Sequence, residues 1–358
     1  MVAGKKLSHG VKRLLALGEM PIQKQWVDTM LCVALAVWTF GQIVMVGSTI
    51  ASLPLVVTYH LGAVHQAVVA GCLIAAFACG SYDFSPRELV ILAFGLFGSM
   101  TAWRKGGDVH VVALLLFAIT IGGIDVRRLA RWYVASALAG LLVTMVSQGL
   151  GISAHVASLQ GAKYVSGYGF IEFPSLSYLL FSIVIGIVLV AGELDGMRSA
   201  ATAVACVVSA GSLYVALHAV RVAAAFMMLG TFVVLRQLRP QLVRAVISSE
   251  VTRWFVALLP LLLFCLAFDG SMFYGLTAFE GGYTGLIWSY GYASLICLYF
   301  LYARGVLRLG STSTDQLLLV ACVAFALLLM GERLPMYLEF DCALLVLARG
   351  LASGRRSL

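Results

Sequence analysis

Long apolar runs recur along this whole chain and constrain its fold more than any other feature. From residue 28 to residue 352, stretches of about 15 to 22 mostly apolar residues follow one another with short polar breaks. Each is long enough, or nearly so, to cross the ~30 Å hydrocarbon layer of a bilayer as a helix. No water in that layer pairs with backbone N–H and C=O groups, so a spanning segment must satisfy its own hydrogen bonds. Composition agrees. Hydrophobic residues make up 61% of the chain and charged residues 11%, against roughly 25% charged in soluble domains. Mean hydropathy is +0.99. The sequence predicts an all-α polytopic membrane protein.

The predicted spans cover 28–50, 60–81, 88–103, 109–125, 131–150, 174–192, 198–217, 221–236, 254–268, 284–303, 315–330 and 337–352, about twelve in all. They form a single transmembrane domain, 28–352, between a basic segment, 1–27, and a short tail, 353–358. The N-terminal segment has no small-residue cleavage site, so the first span is expected to be retained. The stretch 236–253 reads as an interfacial helix.

Basic residues sort the span ends. Lys and Arg total 24; Arg104, Lys105, Lys163, Arg221 and Arg333 fall on one side of the alternating path, and the other nineteen on the opposite side. Cytoplasmic ends collect Lys and Arg. Both termini are therefore predicted to be cytoplasmic, and the sparsely charged side faces out. The net charge of +8 is mostly this topology signal. It gives no reason to expect nucleic acid as a partner, since no basic stripe with interleaved aromatics is present.

Several chemistries find no footing in the sequence. Cys32, Cys72, Cys79, Cys206, Cys265, Cys297, Cys322 and Cys342 all fall inside spans without Cys/His metal spacing, and read as buried small hydrophobes. There is no Gly-rich phosphate loop, no HExxH and no asparagine. No metal and no cofactor are expected. The 36 glycines read as close helix packing, and Gln148 as an interhelical hydrogen bond.

The outward side concentrates the remaining signal in two longer loops, 151–173 and 269–283, and two short turns. It gathers Lys163, Arg221 and Arg333 as cations, and Glu172, Asp269, Glu280, Glu332, Glu339 and Asp341 as carboxylates. Tyr164, Tyr168, Phe170, Tyr274, Tyr283 and Tyr337 add aromatic faces. Cations bind phosphates, carboxylates orient or deprotonate hydroxyls, and aromatic faces stack on sugar rings. Arg221 stands out, because it opens an apolar span and a guanidinium there calls for an anion. His218, one turn earlier, shares that neighbourhood. Glu280 lies in FEGGY, where two glycines let the backbone approach a ligand. Tyr283, three residues on, suits a sugar platform or an interfacial anchor.

Four segments in order carry a resemblance. KYVSGYGFIEFPSLSYLLFSIVIG, LHAVRVAAAFMMLG, FEGGYTGLIWSYGYASLICLYFL and MGERLPMYLEFDCALLVLARG together resemble the O-antigen ligase/polymerase superfamily, the Wzy and WaaL type of bacterial polysaccharide enzymes. Ser175, Val220 and Lys163 stand where that family usually has asparagine, serine and arginine. The resemblance implies a GT-C-like membrane fold in the bacterial inner (cytoplasmic) membrane and a metal-independent inverting glycosyltransferase. Its substrates would be polyprenyl-diphosphate-linked oligosaccharides at the periplasmic face, with a chain-length regulator and a flippase as companions. Arg221 would hold the diphosphate, Lys163 and Arg333 would support it, and Glu280 would serve the acceptor hydroxyl. Glu172, Asp269, His218 and Tyr283 would line the substrate. Ligases of the family typically carry a histidine in the late outer loop, and 269–283 has none, which favours a polymerase.

Two other classes compete. A lipid-linked sugar or solute transporter would place ionisable groups near the bilayer midplane or break helices there. Here nearly all sixteen acidic residues sit at span ends, and Pro260 alone interrupts a span. A non-catalytic scaffold would leave the ordered outer charges without a purpose.

Overall fold

In the computed structural model, the described residues form a bundle of helices with one short β ribbon. The structure describes residues 21–45, 55–79, 84–104, 110–122, 124–152, 157–160, 163–166, 175–192, 196–217, 219–274, 282–328 and 343–350. The helices are α1 (Pro21–Met45), α2 (Leu55–Cys79), α3 (Pro86–Arg104), α4 (His110–Ile121), α5 (Val126–Gly149), α6 (Ser175–Ala191) and α7 (Gly196–Leu217). After them come α8 (Val220–Leu238), α9 (Pro240–Ile247), α10 (Glu250–Tyr274), α11 (Gly282–Leu307), α12 (Ser313–Leu328) and α13 (Ala343–Gly350). Between α5 and α6, β1 (Ala157–Gln160) pairs antiparallel with β2 (Lys163–Ser166), with Ala157 opposite Ser166 and Gln160 opposite Lys163.

Local chemistry sets several of the boundaries. Ser85-Pro86-Arg87-Glu88 is a capping box. The Ser85 N–H donates to Glu88 Oε2 at 3.0 Å, the Glu88 N–H donates back to Ser85 Oγ at 3.3 Å, and Pro86 takes the first helical position. Asp125 caps α5, its Oδ1 accepting from the Arg127 N–H at 3.1 Å. At the far end of α5, Gly151 takes φ +71, a left-handed conformation open to glycine, and its N–H returns to the Gln148 carbonyl at 3.0 Å.

Two apolar cores hold the bundle. One joins α5, α6, α7, α8 and α12, with Phe181 edge-on to Phe226 at 5.1 Å and to Phe325 at 5.5 Å between ring centroids. The other joins α1, α2, α3, α4, α11 and α13 around Trp38, Leu115, Phe117, Cys297 and Leu301. Tyr133, Tyr302, Val323 and Leu345 pack against both cores and weld them together. Close packing at glycine recurs as expected. A Cβ on Gly305 would strike the Val346 carbonyl oxygen, and one on Gly350 the Leu301 carbonyl oxygen, so α11 and α13 touch backbone to backbone.

Outward faces are apolar on helix after helix, with Ile74, Phe97, Leu142 and Val215 at 69%, 70%, 63% and 71% exposure. Such a surface is a liability in water and a match for lipid. Among the described residues, four helices are long and apolar enough to cross a membrane: Lys24–Met45, Val126–Gly149, Gly196–Val215 and Val220–Leu238. A fifth is added if α9 and Glu250–Cys265, bent by 59°, form one span. This is an α-helical membrane protein. The predicted stretches each overlap a helix, but several helices are short. The 12 residues of α4 rise only ~18 Å.

The structure corrects some sequence expectations. The loop 269–283 is not a loop throughout, for α10 runs through Asp269 to Tyr274 and α11 opens at Gly282, ahead of Tyr283. Asp, Gly and Ser disfavour a helix by only about 0.5–1 kcal/mol each, and the long apolar run that precedes them carries α10 on. Cys79 and Cys265 are exposed, whereas Cys32, Cys206, Cys297 and Cys322 are buried; Cys342 lies outside the described residues. Gln148 makes no side-chain hydrogen bond to another helix among the described residues, because it stands half-buried in the last turn of α5.

Candidate functional site

The two ends of the bundle differ, and the difference locates the site. At one end, helix termini are tied by arginines. Glu88, 1% exposed in the first turn of α3, pairs with Arg304 near the end of α11 at 2.5 Å. Asp315, in the first turn of α12, pairs with Arg349 at the end of α13. Arg308 donates to the carbonyl oxygens of Arg349 and Gly350 at 3.2 and 3.0 Å. Burial and then the neighbouring Arg304 guanidinium push Arg308 below its ordinary value, against the pull of Glu88. Arg253, at the start of α10, donates to the Leu307 and Leu309 carbonyls at 3.4 and 3.0 Å.

The same end collects further termini. Arg128 of α5 donates to Thr29 Oγ1 of α1 at 2.8 Å and stands 4.0 Å from Asp28. The Ser313 hydroxyl of α12 donates to Gly192 after α6 at 3.4 Å. The Ser199 hydroxyl near the start of α7 donates to the Val233 carbonyl near the end of α8 at 3.5 Å. All of these arginines belong to the crowded set expected at the cytoplasm, and their contacts join ends assigned to one side. Trp26, Trp132 and Trp254 stand 63%, 38% and 49% exposed in the second turns of α1, α5 and α10, at this end. Exposed tryptophans near the ends of apolar helices are the usual mark of a membrane–water boundary.

The opposite end receives the residues singled out from the sequence. Arg221 occupies the first turn of α8, and Asp269 lies near the C-terminal end of α10. Tyr283 is the second residue of α11, and Lys163 opens β2 between α5 and α6. Because α8, α10 and α11 all have their other termini at the latched end, Arg221, Asp269 and Tyr283 lie toward the far end of the bundle, and Lys163 sits on the ribbon that links the end of α5 to the start of α6. Glu280, Arg333, Glu172 and His218 lie outside the described residues.

Arg221 stands at an uncapped helix N-terminus. It is exposed and makes no ion pair among the described residues, whereas Val222 and Ala223 beside it are buried. The N-cap is Ala219, with no side-chain cap, and the first intrahelical bond at this terminus runs from the Ala223 N–H to the Ala219 carbonyl at 2.9 Å. Amide donors of the first turn thus lack a side-chain acceptor, and the helix end carries positive partial charge. A guanidinium added there is unfavourable alone and favourable with a phosphate.

Two features escaped the sequence reading. The β ribbon fell inside a segment read as loop, although two short runs separated by Gly161-Ala162 are a hairpin signal. The paired acids Glu88 and Asp315 were read only as span-end charges. Their signal was the Ser-x-x-Glu at 85–88 and the Thr-x-x-Asp at 312–315. Among the described residues, no three His, Cys, Asp or Glu side chains gather to hold a metal ion. No family model, no curated protein and no solved structure matches the chain.

Proposed function

We propose that the protein is a bacterial inner-membrane polysaccharide polymerase. It joins polyprenyl-diphosphate-linked oligosaccharide repeat units at the periplasmic face. One observation carries the reading: an exposed Arg221 on an uncapped helix N-terminus, at the end of the bundle away from the latched arginines. A lipid diphosphate at the membrane surface is the anion that this place suits. Arg221 grips the diphosphate bidentately as it leaves, stabilising charge that grows in the transition state. The acceptor hydroxyl attacks the anomeric carbon, the bond from that carbon to the diphosphate breaks, and the hydroxyl proton passes to Glu280. The sugar passes through an oxocarbenium-like state with inversion. Lys163 and Arg333 hold the phosphates or the glycan; Tyr283, Glu172, Asp269 and His218 line the substrate. No metal is assigned a part, and a chain-length regulator and a flippase are the companions.

A second reading, a transporter, draws on one observation. His65 lies within α2, stacked on Trp38 with ring centroids 5.6 Å apart, so an ionisable group does stand inside the bundle. The polymer itself separates the readings. With Arg221→Ala present in the membrane at normal abundance, long polysaccharide should disappear while single lipid-linked or transferred repeats persist. Long chains that persist on the carrier lipid would favour a ligase. Unchanged polysaccharide even in a deletion strain would defeat the polymerase and bring the transporter forward.

A further inference from the structure

We infer that the elbow around α9 binds the headgroups of anionic phospholipids in the leaflet at the latched end, with Arg239 and Arg244 as the contacts. The inference rests on membrane embedding and is independent of the polymerase reading.

Geometry sets out the surface. The short helix α9 lies between α8 and α10 and meets Glu250–Cys265 at 59°. Val243, 5% exposed, and Ile247 face the core. At 3.6 residues per turn, Leu242 and Val246 share one flank and Arg244 lies on the flank across from them. Leu242 and Val246 are 57% and 53% exposed, and Leu238 and Val251 beside the elbow reach 69% and 79%. Trp254, one turn into α10, is 49% exposed at the boundary level already described. An amphipathic helix at that angle to a spanning helix lies closer to the membrane plane than to its normal, with its apolar flank toward the acyl region, Arg244 toward the phosphates and Arg239 at its N-cap.

Charge selects the occupant. Residues 236–253 hold Arg236, Arg239, Arg244 and Arg253 against the single acid Glu250. Arg253 is committed to the Leu307 and Leu309 carbonyls. Arg239 and Arg244 are exposed and pair with no carboxylate among the described residues. Guanidinium forks match phosphodiester oxygens. A zwitterionic headgroup offsets its phosphate with its own cation; an anionic headgroup does not.

The test uses the full chain, purified in mild detergent and exposed to equimolar phosphatidylglycerol and phosphatidylcholine, with retained lipid counted by mass spectrometry. The wild type should prefer phosphatidylglycerol by on the order of 10-fold, as two membrane-level arginines imply. Arg239→Gln/Arg244→Gln should fall to near parity, while Arg104→Gln, at the opposite end, keeps the preference. Equal retention of the two lipids by the wild type, or an undiminished preference in the double variant, overturns the inference. If the double variant fails to elute as a monodisperse protein, a salt wash of the wild type decides. Molar salt should strip the phosphatidylglycerol excess, and an excess that survives it counts against the ionic contact.

Discussion

At the latched end, four arginine side chains are tied to the protein itself while Arg239 and Arg244 stay open; at the other end, Arg221 is open too. Arg304, Arg349, Arg308 and Arg253 each meet a carboxylate or a helix C-terminal carbonyl. Arg221 meets neither among the described residues. Two substitutions bear on this contrast. Arg221→Lys keeps the charge and loses the planar fork, so polymer synthesis should drop by about 10-fold, the worth of ~1.4 kcal/mol of bidentate contact. The rate of polymer appearance in membranes supplied with lipid-linked repeats measures this, and a wild-type rate would remove the bidentate role. Glu88→Ala leaves Arg304 without its carboxylate and still facing the Arg308 guanidinium. Its expected cost is about 3 kcal/mol, the low end for a broken buried pair, since Arg304 keeps 30% of its exposure. Thermal unfolding in detergent should show it, with Glu88→Leu/Arg304→Met recovering the ion-pair part of the loss but not the Ser85 N–H contact of the capping box, worth about 1 kcal/mol.

Elements were legible where local rules and lipid chemistry agree. The capping box at Ser85–Glu88 and the Asp125 cap, which start α3 and α5, were signals present in the sequence but left unused. The apolar runs marked the helices, and the glycine content foretold contacts such as that between α11 and α13. Gly305→Val should therefore be severely destabilising, because the added side chain meets the Val346 carbonyl rather than a movable side chain. Gly211→Ala meets nothing within 4 Å and should stabilise by up to about 1 kcal/mol through helix propensity. Paired unfolding curves of these two variants check both signs. Legibility failed where turn-favouring residues continue a helix, as Asp269 and Gly270 do in α10, and where a hairpin of eight paired residues carries too little apolar pattern to stand out from a loop.

For the whole molecule, charge asymmetry in the sequence anticipated an arrangement that packing then requires. Basic residues from distant parts of the chain converge on one end because the helices alternate in direction and their C-terminal carbonyls attract cations. The candidate site was expected as a set of residues on one side; Arg221, Asp269 and Tyr283 stand at helix ends away from the latch, and Glu280, Arg333, Glu172 and His218 lie outside the described residues. What spacing alone does not convey is which cations the fold itself neutralises, because the partners of Arg304 and Arg349 come from helices far away in sequence. The central claim is a two-ended protein with its latch in the cytoplasm and its anion site outside. Its most direct test is labelling by a membrane-impermeant thiol reagent in intact cells, using single cysteines at Lys163 and at Arg239 in a background without native cysteines. Lys163→Cys should react in intact cells and Arg239→Cys only after the membrane is breached; the reverse pattern would contradict this orientation.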